Sequence, residues 1–200
     1  MRKSPFWVND IYSLGYWLKD YGYYPKSWPL FSFMDHGMTL SDKIFLMETE
    51  NDAPLIFKFS PRTTNLYKKE SKKPVYCLLN PSIHYRLKNK IVQSNVAKGT
   101  LFFVAHSTQE IDDLTDWGKF IRNMADIPAQ YKPIDICLHN HDIAKGLDRI
   151  FISKGFNVVT AGNQYEVDYV QKFYKILRNY KYTMSNLIGS YVFYSLSELK

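Results

Sequence analysis

From residue 100 onward the chain alternates apolar runs of strand length with amphipathic stretches of helix length. TLFFVA (100–105) predicts a strand, and Trp117, Phe120, Ile121 and Met124 then recur at helical spacing. IDICL (134–138) predicts the next strand. Asp142 is placed to cap a helix carrying Ile143, Leu147, Ile150 and Phe151, which Gly155 ends. FNVVT (156–160) follows as a third strand. Asn163 with Glu166 has capping-box spacing, opening a helix with Val167, Val170, Tyr174 and Leu177 on one face. KYTM (181–184) is a short fourth strand and NLIGSYVFYSL a final helix.

Strands that are apolar on both faces and separated by helices argue for parallel sheets covered on two sides, a Rossmann-like α/β layout. The first half is less regular: a helix near 10–20, strands near 29–34, 54–59 and 75–79, and a helix near 82–91. This predicts two domains, a smaller α/β domain over 1–98 and a Rossmann-like domain over 99–200. There is no internal repeat and no low-complexity segment.

The unusual polar residues of the second half fall just after its strands: His106-Ser107-Thr108, His139-Asn140-His141, Gly162-Asn163 and Ser185-Asn186. Carboxyl ends of parallel strands share one sheet edge, where ligands of open α/β sheets bind. Short polar residues also cap helices and make turns, so each cluster alone has a structural explanation; their coincidence at one edge predicts a ligand crevice. The first half has comparable strand ends at Asp35-His36-Gly37, Ser60-Pro61-Arg62 and Asn80-Pro81-Ser82, with a helix start expected just after His36-Gly37.

Composition narrows the chemistry. With 46% hydrophobic residues in 200, the chain can fill a core, and no apolar run reaches membrane-span length, which predicts a cytoplasmic protein. Cys77 and Cys137 lie in apolar runs and read as small buried thiols. The net charge of +7 lies wholly in residues 1–100, which hold 15 Lys and Arg against 8 Asp and Glu. YKKESKK and YRLKNK carry much of it, as solvated loop lysines or as contacts to an anionic acceptor or the inner membrane face. No nucleic-acid motif accompanies them, so nucleic acid is not expected as a partner. His139-x-His141 is too weak a pattern to predict a metal, and VAHSTQE lacks the glycines of a nicotinamide or flavin fingerprint.

MDHGMTLSDK and YKYTMSNLIGSYVFYSL resemble the His-Gly turn and the donor-phosphate loop of two-domain GT-B glycosyltransferases, most closely bacterial enzymes of capsule, O-antigen and teichoic-acid-type polymer synthesis. The resemblance covers about two thirds of the chain. It implies metal-independent transfer of a glycosyl or related group from a nucleotide-activated sugar, held as substrate without a further cofactor, to a polysaccharide or lipid-linked acceptor. His36 would be the general base, and Ser185, Asn186, Gly189 and Ser190 would receive the diphosphate. His106, Ser107, His139 and Asn163 would line the base and ribose. Members of that family are longer, which implies a shortened chain whose second domain is incomplete at its C-terminus. The alternatives are a non-catalytic remnant that binds a nucleotide or a partner, and a nucleotide-sugar epimerase-like protein.

Overall fold

Short runs of β-branched and aromatic residues build two parallel sheets. The computed structural model describes residues 5–107 and 113–196. Its contacts divide the chain into two units: residues up to Lys90 with Gln164–Val170, and Ile91–Asn163 with the residues from Gln171 on. The returning segment joins the first unit through Tyr12 N–H to Gln164 O (2.6 Å), Val170 N–H to Ser13 Oγ (3.2 Å) and contact of the Tyr12 and Tyr169 rings.

In the first unit the order is α1 (Leu14–Tyr21), β1 (Phe33–Met34), α2 (Leu46–Thr49), β2 (Ile56–Lys58), α3 (Pro61–Glu70), β3 (Val75–Cys77) and α4 (Pro81–Lys88). The strands pair in the order β1-β2-β3, all parallel. The strand expected over 29–34 shrinks to two residues. Ser60 and Asn80, expected at strand ends, are N-caps: their side chains accept from Thr63 N–H and Ser82 N–H, and a proline follows each at the first helical position. Val8, Leu14, Leu18, Phe33, Met34 and Phe59 fill one core cluster, and Ile56, Tyr67 and Val75 a second. Cys77 is exposed because β3 is an edge strand, which corrects the expectation of a buried thiol.

The second unit contains β4 (Thr100–Phe103), α5 (Trp117–Ala125), β5 (Ile134–Cys137), α6 (Asn140–Ala144), α7 (Leu147–Ile152), β6 (Val158–Val159), most of α8 (Tyr169–Leu177), β7 (Tyr182–Ser185) and α9 (Ser190–Leu196). Its four strands are parallel in the order β6-β5-β4-β7. Phe102, Val104, Ile136 and Leu138 pack on one face against Trp117, Met124, Leu147 and Phe151. On the other face Phe103 stacks with Phe173 of α8 and Tyr191 of α9. The helix expected to open at Asn163 begins at Tyr169, leaving Val167 exposed while Val170, Tyr174 and Leu177 are buried. The single helix expected after Asp142 is two, because Gly146 adopts a left-handed φ of 81° between α6 and α7, and Ile150 is exposed. Cys137 is partly buried, and desolvation pushes its thiol up to about 12.

The molecule is thus an α/β protein with two parallel sheets flanked by helices, consistent with a Rossmann-like fold. Among the described residues no helix is long and apolar enough to cross a membrane.

Candidate functional site

The chain enters the second sheet at β4, lays β5 and β6 to one side, and then places β7 on the other. The strand order reverses between β4 and β7, and connections leaving such a point in opposite directions open a crevice at the carboxyl ends. Phe103 pairs in register with both Cys137 and Ser185, so the residues just beyond them are neighbours. Asn186 Oδ1 accepts from Ala105 N–H at 2.8 Å across the reversal. Toward β5, the His106 ring stacks on His139 (centroids 4.4 Å apart, 25°), and His139 contacts His141 at 4.9 Å.

Asp142, in the first turn of α6, is 2% exposed. Its Oδ1 accepts from Ser107 N–H at 3.0 Å and from Ser107 Oγ–H at 2.9 Å. The other carboxylate oxygen, Oδ2, is buried without a hydrogen-bond partner among the described residues, as is Asn140 Oδ1. Burying such acceptors unpaired costs about 1–3 kcal/mol each, which fits a site that receives donors from a ligand. Asp142 is therefore not the helix cap that its spacing predicts. His139 caps α6 instead, its Nδ1 accepting from His141 N–H at 3.3 Å, which leaves the ring proton of a neutral His139 on Nε2. Thr108 lies outside the described residues.

After β7 the loop closes on itself. Ser185 Oγ–H donates to Leu187 O at 2.5 Å and accepts from Leu187 N–H at 3.2 Å. Tyr191 O–H donates to Leu187 O at 3.1 Å, and its ring lies flat on Phe103, 4.9 Å away at 15°. A Cβ on Gly189 would come within 2.6 Å of that ring, so the absence of a side chain there makes room for Tyr191. Gly189→Ala should displace the ring from Phe103 and lower stability by about 1 kcal/mol, because the clash is with the outer end of a side chain. A thermal melt unchanged from the wild type would contradict this packing. Ser190 is the first residue of α9. Asn163 is exposed and follows β6, which β5 separates from β4, so the fold does not group it with His106 and Ser107.

In the first unit, Asp35 is buried just past β1, whereas His36 lies at the following bend. His36 is exposed, its ring 5.6 Å from that of Trp7. Asp35 is buried and joins a charge cluster around Lys58, which is 1% exposed. Lys58 Nζ pairs with Asp35 Oδ1 and, at 2.8 Å, with Glu48 Oε2. It also lies 3.8 Å from the centre of the Tyr67 ring, whose hydroxyl donates to the same Glu48 oxygen. Phe59 N–H donates to Asp35 Oδ2 at 3.1 Å. Desolvation, opposed by Lys58, raises the Asp35 carboxyl from 3.8 to about 6. No helix opens at His36-Gly37, correcting that expectation: residues 37–45 are irregular and the next helix is α2. Gly37 is not among the left-handed glycines, so the turn does not demand a glycine there.

Sequence reasoning overlooked the Lys58 cluster, although a lysine inside the apolar run PLIFKF signals a buried counter-charge. It also missed a groove of about 630 Å³ along the outer edge of β7, lined by Tyr131, Leu177, Tyr182 and Met184 among others and by none of the strand-end histidines. Among the described residues no three His, Cys, Asp or Glu side chains are grouped to hold a metal ion. Fold and site together define an α/β protein with a polar cluster at the carboxyl ends of β4 and β5. No protein-family model, no curated protein and no solved structure matches the chain.

Proposed function

We propose that the second unit holds a nucleotide-activated sugar at the β4–β7 reversal, and that the chain transfers its glycosyl group to a surface-polysaccharide or lipid-linked acceptor in the manner of a GT-B enzyme. The observation that carries this reading is the buried Asp142 with one carboxylate oxygen unpaired beside Ser107 and the stacked His106 and His139. The unpaired oxygen accepts from a ribose hydroxyl or a base amino group, and the exposed face of His106 offers a stacking surface for the base. Ser185, Asn186, Gly189 and Ser190 receive the diphosphate, and His36 is the base for the acceptor hydroxyl. No metal or further cofactor takes part.

A nucleoside diphosphate bound only to the native state, at 100 times its dissociation constant, should stabilise the protein by about 2.7 kcal/mol. Asp142→Asn should lose most of that stabilisation, while His36→Ala should keep it. Flat melting curves with every nucleoside diphosphate, on protein shown to be folded, would overturn the reading.

One feature favours a second reading, a non-catalytic nucleotide-binding protein: the Tyr191 ring and the Ser185–Leu187 hydrogen bonds fill the loop expected to receive the phosphates. In that case nucleosides and nucleoside diphosphates should stabilise the protein equally.

A further inference from the structure

The segment Phe45-Leu46-Met47-Glu48 is inverted with respect to ordinary burial. Glu48 is inside, bonded to Lys58 and Tyr67, while Leu46 and Met47 are 66% and 55% exposed and Phe45 is also exposed. The inversion is built in, because Phe45 N–H donates to the Tyr67 hydroxyl at 3.1 Å and Asn51 Nδ2 donates to Met47 O at 2.8 Å and Glu48 O at 2.9 Å. The buried charge cluster thus holds three consecutive apolar side chains outward, where water makes them costly.

Charged residues flank this knuckle along the chain, with Lys43, Lys68, Lys69, Lys72 and Lys73 set against the exposed carboxylates of Glu50, Asp52 and Glu70. Lys43 lies two residues before Phe45 and is exposed. Lys68 and Lys69 follow Tyr67 on the last turn of α3, and both are exposed. Lys73 Nζ donates to Asn51, whose side chain bonds two carbonyls of α2, and its neighbour Lys72 is exposed. The one neighbouring arginine, Arg62, is paired with Asp42.

We propose that this knuckle is a membrane-contact surface: Phe45, Leu46 and Met47 enter the interface of an anionic bilayer while Lys43, Lys68, Lys69 and Lys72 meet its headgroups. Charge complementarity selects the occupant. An apolar tip flanked by more lysines than carboxylates matches a surface with an apolar interior beneath a negative face, and exposed lysines each add attraction to anionic lipid that salt weakens. The surface lies wholly within the first unit and is independent of the nucleotide reading.

Sedimentation of the full chain with vesicles tests this. Phosphatidylcholine vesicles containing phosphatidylglycerol should bind it, pure phosphatidylcholine vesicles should bind it weakly, and high salt should release it. Leu46→Ser/Met47→Ser, at exposed positions, should preserve the circular dichroism spectrum and weaken binding by about tenfold. Lys43→Gln/Lys68→Gln/Lys69→Gln/Lys72→Gln should remove the preference for anionic vesicles. Absence of vesicle binding by the wild type overturns the proposal, as does binding that neither set of changes alters. A concentration-dependent dimer that Leu46→Ser/Met47→Ser abolishes, without vesicle binding, would assign the face to a second copy of the chain.

Discussion

Lys58→Met should destabilise the first unit by about 3–5 kcal/mol at neutral pH, because it leaves the Asp35 and Glu48 carboxylates buried together without a cation. The methionine fills the space of the lysine stem, so the loss is electrostatic rather than a cavity. Three of the four tryptophans, Trp7, Trp17 and Trp28, lie in this unit, so urea unfolding followed by tryptophan fluorescence reports on it. The triple change Lys58→Met/Asp35→Asn/Glu48→Gln removes the orphaned charges along with the cation and should recover much of the loss. A Lys58→Met protein within about 1 kcal/mol of the wild type would show that the cluster is not a buried ionic unit.

The same cluster fixes a pH dependence. The native state holds a proton on Asp35 up to about pH 6, whereas an unfolded carboxyl releases it near its ordinary value of 3.8. Between those values the native state carries the extra proton, so stability is highest at the acid end, falls as pH rises through the window, and is level above it. A shift of this size corresponds to about 3 kcal/mol. Asp35→Asn should remove the slope while leaving the Lys58–Glu48 pair electrically neutral. Urea unfolding of the wild type and of Asp35→Asn across this pH window checks the slope.

The second sheet was legible because its strands are apolar on both faces and its helices carry their apolar residues at helical spacing, as Trp117, Met124, Leu147 and Phe151 show. The first sheet was less so. Its strands are two or three residues long, too short for periodicity, and residues 29–32 before β1 are irregular chain in which Phe31 is exposed. Caps were legible at Ser60 and Asn80 only as polar residues after strands; a proline after each was the local sign that they start helices. Asp142 misled because a capping aspartate and a buried one look alike in sequence. What separates them is Ser107, thirty-five residues away, whose two hydrogen bonds turn the carboxylate inward. The exposure of Leu46 and Met47 is equally non-local, since it follows from a salt bridge between Glu48 and Lys58.

His36→Ala should lower turnover by about 10² to 10⁴ while leaving nucleotide-donor affinity within a few-fold, if the histidine is the base of the proposed transfer. The structure makes this a clean test. Asp35, the residue beside it, faces inward to Lys58, whereas the His36 ring is exposed against Trp7, so its removal leaves the charge cluster intact. Stability should change by well under the Lys58→Met loss. Turnover is read as release of nucleoside diphosphate from the donor that gives the largest thermal shift, in the presence of acceptor. Activity of the wild type should also fall at low pH, because a protonated imidazole cannot accept the proton of the acceptor hydroxyl. Trp7→Leu, which removes the ring beside His36, should lower turnover less than His36→Ala does, since it disturbs the position of the base but not its chemistry. If His36→Ala retains near-normal turnover with the acid limb unaltered, Asp35-His36-Gly37 is a turn whose one buried task is to deliver Asp35 to Lys58.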